Sequence, residues 1–162
     1  MADTIAVMSE GRIEQAGGAA DLYERPQTEF VANFLGTSNL IEGKLAPGQG
    51  ELAEVRTHDG ALLRVPQDRL ARHSGDAVKV GVRPEKIELA PAAQHTANGA
   101  NALHGTVTVA SFLGTSIQYL VRVAGGEELT VVSPNRDGAE PESLGPGREV
   151  VLTWAPQHTF VV

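Results

Sequence analysis

The chain repeats itself. Asn39-Leu-Ile-Glu-Gly43 is echoed by Asn101-Ala-Leu-His-Gly105, and Gly75-Asp-Ala-Val-Lys-Val-Gly-Val-Arg-Pro84 by Gly147-Arg-Glu-Val-Val-Leu-Thr-Trp-Ala-Pro156. Between these marks each half carries a Gly-containing turn and a strand ending in proline: Asp59-Gly60 to Pro66, then Gly125-Gly126 to Pro134. The offset grows from 62 residues at the asparagines to 72 at the second prolines, so the second copy holds insertions. An internal repeat constrains architecture more than any single residue does. The repeated unit here is a run of short strands without a long helix. The expected fold is therefore mainly β, with OB-fold-like small barrels built from two repeated strand units. Two such units cover one another's open edges. One further echo, Phe34-Leu-Gly-Thr-Ser38 and Phe112-Leu-Gly-Thr-Ser116, precedes its asparagine unit in one case and follows it in the other. It is expected to be unrelated to the repeat.

Residues 1–36 have a different texture. Thr4–Met8 and Arg12–Gln15 read as a short hairpin turned at Glu10-Gly11, and Ala19–Tyr23 as a short helix stopped by Pro26. Thr28 is placed to cap a second helix whose apolar stripe is Phe30, Val31, Phe34 and Leu35, with Gly36 as its terminator. A hairpin and two short helices show no obvious core of their own. They read equally as the end of something larger or as elements packed on the barrel. Beyond Gly36 the expected strands are Leu40–Leu45, Leu52–Thr57, Ala61–Val65, Asp76–Val82 and Glu85–Leu89, the last closing its unit. The second set is Leu103–Ser111, Ile117–Val123, Glu127–Ser133, Glu149–Trp154 and His158–Val162. Pro47–Gly50 reads as a turn, Asp68–Arg72 as a helical turn, and Pro91–Asn101 and Asn135–Gly147 as loops.

The chemistry-bearing residues exclude more than they propose. There are no cysteines among the 162 residues, which removes disulfides, thiolate metal sites and a cysteine nucleophile. His58, His73, His95, His104 and His158 form no pair with metal-ligand spacing, so neither a catalytic nor a metal site is expected. No Gly-x-Ser-x-Gly elbow occurs. Nor is there a Gly-x-x-x-x-Gly-Lys-Ser/Thr loop, whose backbone amides wrap phosphates while its lysine reaches them. Net charge is −7, and no segment carries the basic excess that a nucleic-acid backbone demands. No apolar run is long enough to span a membrane, so no direct insertion is expected.

Arg83-Pro84-Glu85 is the sharpest short motif. Its charges flank a proline-fixed bend, either as a site for a partner or small anion or, more simply, as an Arg–carboxylate bond that pins a strand end. The second copy, Trp154-Ala-Pro-Gln157, lacks both charges. Tyr23, Phe30 and Phe34 are expected to leave apolar surface exposed. Together with Arg83 and Glu85 they are the candidate interface or structural residues.

The opening resembles the last stretch of the nucleotide-binding domain of importer-type ABC transporter ATPases. The matching text is Asp3-Thr-Ile-Ala-Val-Met-Ser-Glu-Gly-Arg-Ile-Glu-Gln-Ala-Gly17, Leu22-Tyr-Glu-Arg-Pro26, Phe30-Val-Ala-Asn-Phe-Leu-Gly36 and Asn39. Residues 37–162 resemble the transport-associated OB module of these ATPases. Gly81-Val-Arg-Pro-Glu85 and the ending Leu152-Thr-Trp-Ala-Pro-Gln-His-Thr-Phe-Val-Val162 are most similar to the spermidine/putrescine branch. Ala19 stands where the family usually has proline. The resemblance implies two segments, 1–36 as the end of a nucleotide-binding domain and 37–162 as an OB-like regulatory domain. Met1 aligns inside the family's sequence, so the chain is expected to be a start-site artefact or a fragment. It implies a regulatory and assembly role rather than an enzyme, with no cofactor in this chain; ATP and Mg belong to the absent catalytic part. The implied partners are a second copy in a homodimer, a second ATPase subunit and membrane permease subunits. The implied place is the cytoplasm, peripheral at the inner face of the membrane. The alternatives are a stand-alone small-ligand sensor, similar to modules that bind oxyanions, and an inactive truncated product.

Overall fold

A computed structural model describes residues 2–46, 50–70, 73, 75–92, 99–135 and 144–162. The expected features at Pro47–Gln49, at the end of the 68–72 turn, at His95 and its loop, and in most of the 135–147 loop lie outside the described residues. Among the described residues α-helix occurs only before Gly36, as α1 (Ala19–Glu24) and α2 (Glu29–Leu35). They follow the hairpin of β1 (Ile5–Ser9) and β2 (Arg12–Gly17). Thr28 Oγ1 accepts from the Val31 amide at 3.2 Å, capping α2 as its sequence position predicts. Gly36 ends that helix in extended backbone rather than in the left-handed conformation of a glycine stop (φ 160°). The opening segment also has a small core of its own, which the sequence did not reveal. Val7, Leu22 and Val31 are buried against one another, with Ile5 and Leu35 packed alongside.

The remaining strands form two matching sets. The first is β3 (Asn39–Ala46), β4 (Leu52–Thr57), β5 (Leu62–Pro66), β6 (Ala77–Val82) and β7 (Glu88–Pro91). The second is β8 (Asn101–Phe112), β9 (Ser116–Val123), β10 (Glu128–Pro134), β11 (Glu149–Trp154) and β12 (Thr159–Val161). They build two five-stranded antiparallel sheets, ordered β12-β6-β3-β4-β5 and β7-β11-β8-β9-β10. The two orders become identical when each strand is replaced by its counterpart, so the repeat extends to topology. The halves also trade their last strands: β7 pairs with β11, and β12 pairs with β6. The expectation that Glu85–Leu89 closes its own unit is therefore corrected. The Pro84–Lys86 and Pro156–His158 turns carry the chain off each sheet and deliver the next strand to the other one.

Repeated residues make repeated contacts. The β4–β5 and β9–β10 turns share one pattern: Thr57 N donates to Ala61 O and Gly60 N to Thr57 O, while Val123 N donates to Glu127 O and Gly126 N to Val123 O. Gly60 and Gly126 both sit at positive φ, 89° and 86°, where only glycine is free of strain. Asn39, at the start of β3, donates to Thr130 O at 2.7 Å and accepts from Thr130 N at 2.8 Å. Asn101, at the start of β8, donates to Arg64 O at 2.9 Å and accepts from Arg64 N at 2.7 Å. Each asparagine thus completes the outer strand of the opposite sheet as a backbone neighbour would. Four residues on, a Cβ on Gly43 would stand 2.8 Å from Arg56 O, and one on Gly105 2.7 Å from Arg122 O. The Asn-x-x-x-Gly spacing therefore encodes a clamp and a close strand approach. The sheets share one apolar core, with Val55, Leu63, Val65 and Val80 of one packed among Val107, Val121, Val131 and Leu152 of the other. Phe34–Ser38 links α2 to β3, whereas Phe112–Ser116 turns β8 into β9, so that echo is indeed unrelated.

Candidate functional site

The candidate residues are organised around Arg83. Along β6, Val80 and Val82 belong to the shared core, and strand alternation turns Gly81 and Arg83 to the other face. Phe160 lies opposite Gly81 in the β12–β6 register, with its ring where a Gly81 side chain would stand. Arg83 follows in extended backbone, held by Pro84 at the start of its turn. Its side chain is 1% exposed, which is rare for a charged residue unless its donors are satisfied. They are. Nη1 donates to Ala32 O at 2.9 Å, Gly36 O at 3.2 Å, Thr37 O at 3.3 Å and Ser38 Oγ. Nη2 donates to Tyr23 O at 3.1 Å and Nε to the same oxygen at 3.4 Å. The guanidinium carbon stands 4.2 Å from the Tyr23 ring centroid and 5.5 Å from that of Phe160.

This arrangement is neither of the two read from the sequence. Arg83 does not bond Glu85. It gathers Ala32 O in the last turn of α2 with Gly36 O and Thr37 O just past its end, where the helix dipole also favours a cation. Glu85 accepts instead from the Tyr23 hydroxyl. Burial, then the Glu85 bond and charge, push the Tyr23 phenol up to about 12. Burial lowers the Arg83 pKa, partly offset by Tyr23, Glu85 and Glu24. Lys86 Nζ lies 3.3 Å from Glu24 and Lys79 Nζ 2.8 Å from Glu29, adding outer links between the helices and the first sheet. With its donors engaged and two rings packed beside it, Arg83 has no free edge for a ligand. Its chemistry is mechanical, a clasp fastening the opening segment to the barrel.

Tyr23, Arg83 and Glu85 are thus brought together. Tyr23 covers the guanidinium instead of lying on an open patch. Phe30 and Phe34 stand apart, stacked on each other at 6.1 Å between centroids and 42% and 66% exposed. Val31 of the same stripe turns inward, so the helix splits its apolar residues between a core face and an outer one. Met8 and Ile13, opposite each other across the hairpin, add further exposed apolar surface. Sequence reading missed Ser38 and Phe160, which lie far from Arg83 in the chain and carry no local signal. It marked Asn39 and Asn101 as a repeat without seeing them as clamps. Among the described residues no three His, Asp or Glu side chains group as metal ligands. His58 Nε2 lies 3.7 Å from the Glu42 carboxylate, both exposed.

Residues 80–162 match the family model described as the TOBE domain. Over its whole length the chain is 36% identical to the spermidine/putrescine import ATP-binding protein PotA of Rubrobacter xylanophilus, covering 41% of that protein. It is 39% identical to the protein of the same name from Acidothermus cellulolyticus, over 99% of this chain and 41% of the relative. Against PotA 1 of Pseudomonas aeruginosa the figures are 42% identity, 83% of this chain and 35% of the relative. The chain therefore spans about two fifths of the length of the curated relatives it matches. Among solved structures, the cytoplasmic molybdate-binding protein ModG in its molybdate-bound form is similar in fold. Its TM-score is 0.65 at 17% identity, covering 76% of this chain and 94% of that one.

Proposed function

The chain belongs to the TOBE domain family, and from that premise we propose that it is the regulatory and assembly part of the ATP-binding subunit of an ABC importer, serving polyamine uptake. One observation carries the reading. The Arg83 clasp holds an opening hairpin and helix pair on the barrel, while Met8, Ile13, Phe30 and Phe34 face outward as a surface for further protein. The identity to spermidine/putrescine import ATP-binding proteins runs through both the opening segment and the barrel, which supports reading the two as parts of one such subunit. ATP and Mg are bound outside these residues, since the sequence holds no phosphate loop. The chain itself is then not an enzyme. It acts at the inner face of the membrane through permease subunits and a second ATPase subunit. No helix among the described residues is long and apolar enough to cross a membrane.

The test is a graft. The chain replaces the matching segment of the Acidothermus relative, in cells stripped of their own polyamine uptake. Spermidine import is expected to return, and Arg83→Met in the graft is expected to lower it about tenfold, the size of an ordinary coupling between sites. A graft that assembles and imports no polyamine overturns the reading.

Pairing of two copies is part of the same proposal. Exposed apolar patches attract partners, and the isolated chain is expected to dimerise weakly, read by light scattering over a concentration series. Monomer at every concentration sinks this. Dimers that survive Phe30→Ser with Phe34→Ser place the contact on the barrels.

A further inference from the structure

The β4–β5 and β9–β10 turns meet around a small hollow. It measures about 20 Å³ and is lined by three pairs of repeat counterparts: Ile41 with Leu103, Thr57 with Val123, and Asp59 with Gly125. The two copies of the strand unit face each other here. A Cβ on Gly125 would stand 4.0 Å from Asp59 Oδ1, so the turns lie close. A space of this size holds one water at most, and no larger ligand or hydrated ion enters it.

Each copy contributes an acid where the other has none. Asp59 has Gly125 as its counterpart, and Glu127 has Ala61. Their surroundings differ. Asp59 Oδ1 accepts from the Thr57 hydroxyl. Val123 takes the place of Thr57 in the other turn and has no hydroxyl to give. Glu127 Oε2 is buried and accepts no hydrogen bond among the described residues. A buried carboxylate oxygen without a donor is costly while ionised and much less so once protonated. The titratable groups facing it are Glu42 of β3 and His58 and Asp59 of the β4–β5 turn, while β8 and β9 present Leu103 and Val123. His58 is exposed and lies 3.7 Å from Glu42. The neighbourhood of Glu127 therefore holds two further acids and one histidine.

We propose that Glu127 is a proton-operated latch between the two halves of the barrel. Protonated, it adds no charge beside Asp59 and Glu42. It also becomes a donor, with the Asp59 carboxylate across the same hollow. Ionised, it repels both acids, and the turns part. Burial first, then Glu42, with Asp59 behind, hold the Glu127 carboxyl above the ordinary glutamate value, against the opposing pull of His58. A folded value raised above the unfolded one makes the join firmest in acid. Its contribution is full below the unfolded value and is lost as pH rises through the folded one. The latch belongs to the barrel and is independent of the transport reading, so the isolated chain tests it.

The Glu127 side-chain carboxyl is followed by ¹³C NMR across a pH series, together with hydrogen-exchange protection of the Thr57 and Val123 amides. These amides close the two turns, each donating across its hairpin at 2.9 Å. Protection factors, which remove the intrinsic pH dependence of exchange, are the readout. Glu127 is expected to titrate above the usual glutamate value of 4.5. Protection at both amides is expected to fall severalfold through the same midpoint. Glu127→Gln, always uncharged, is expected to hold both amides at their acid level up to neutral pH. A Glu127 midpoint at or below 4.5 overturns the proposal, as does a Glu127→Gln chain that keeps the pH profile of the parent. If that variant fails to fold, Glu42→Gln replaces it. A lowered Glu127 midpoint there supports the latch, and an unchanged one overturns it.

Discussion

Arg83→Met is expected to free the opening segment from the barrel while leaving the barrel folded. The substitution keeps much of the aliphatic length and removes every donor. The carbonyls of Tyr23, Ala32, Gly36 and Thr37 then lose a buried partner. Orphaning several buried acceptors together is worth about 3–5 kcal/mol. That exceeds what the exposed Lys79–Glu29 and half-covered Lys86–Glu24 links return, since surface pairs contribute about 0–1 kcal/mol each. Amide hydrogen exchange should accelerate at least about a hundredfold across the β1–α2 segment and change little in β3, β8 and β11. Arg83→Lys should not rescue it, because one ammonium cannot span the same set of carbonyls. Unchanged exchange in α1 and α2 would show that the small Val7–Leu22–Val31 cluster holds the segment by itself.

Cutting the chain within the link between Ala92 and Gly99 should give two fragments that fold only together. Residues 1–91 contain four strands of the first sheet and a loose β7; residues 99–162 contain four strands of the second and a loose β12. Each fragment also lacks the other half's side of the shared core and the asparagine that completes its outer strand. Neither alone should give a cooperative thermal transition with dispersed NMR signals. An equimolar mixture should recover both, with light scattering showing a one-to-one pair. A fragment that folds alone as a monomer would mean the traded strands are dispensable.

The local pattern announced the strands. Alternation at Asp76–Val82 located β6, and the Asp59-Gly60 and Gly125-Gly126 turns located the β4–β5 and β9–β10 hairpins. It could not announce partners. A strand's hydrophobic period reports which face is buried and is silent on which edge it joins, so β7 looked like the closer of its own unit. The site failed for the same reason. Arg83 and Glu85 are two residues apart and suggested a bond to each other, whereas the acceptors of Arg83 come from 45 to 60 residues earlier in the chain. The helix stripe at Phe30, Val31, Phe34 and Leu35 was visible, but its division into a buried and an exposed half depends on where the hairpin sits. The two asparagines were visible only as a repetition. Their meaning required the opposite sheet.

The strand trade also bears on how such a chain came to exist and how it varies. A single copy of the five-strand unit, standing alone, would finish a twin's sheet rather than its own, so its simplest closed form is a pair of identical molecules. Joining two copies end to end preserves every contact of that pair and removes its dependence on concentration. It also ends the requirement that both copies stay alike. Arg83 has Ala155 as its counterpart, and Glu85 has Gln157. Descendants of one residue could thus become the fastening for the opening segment in one half and a small neutral filler in the other. Substitutions are accordingly expected to accumulate unevenly between the halves around these two bends, and to remain matched at Asn39, Asn101, Gly43 and Gly105, where the copies still hold each other.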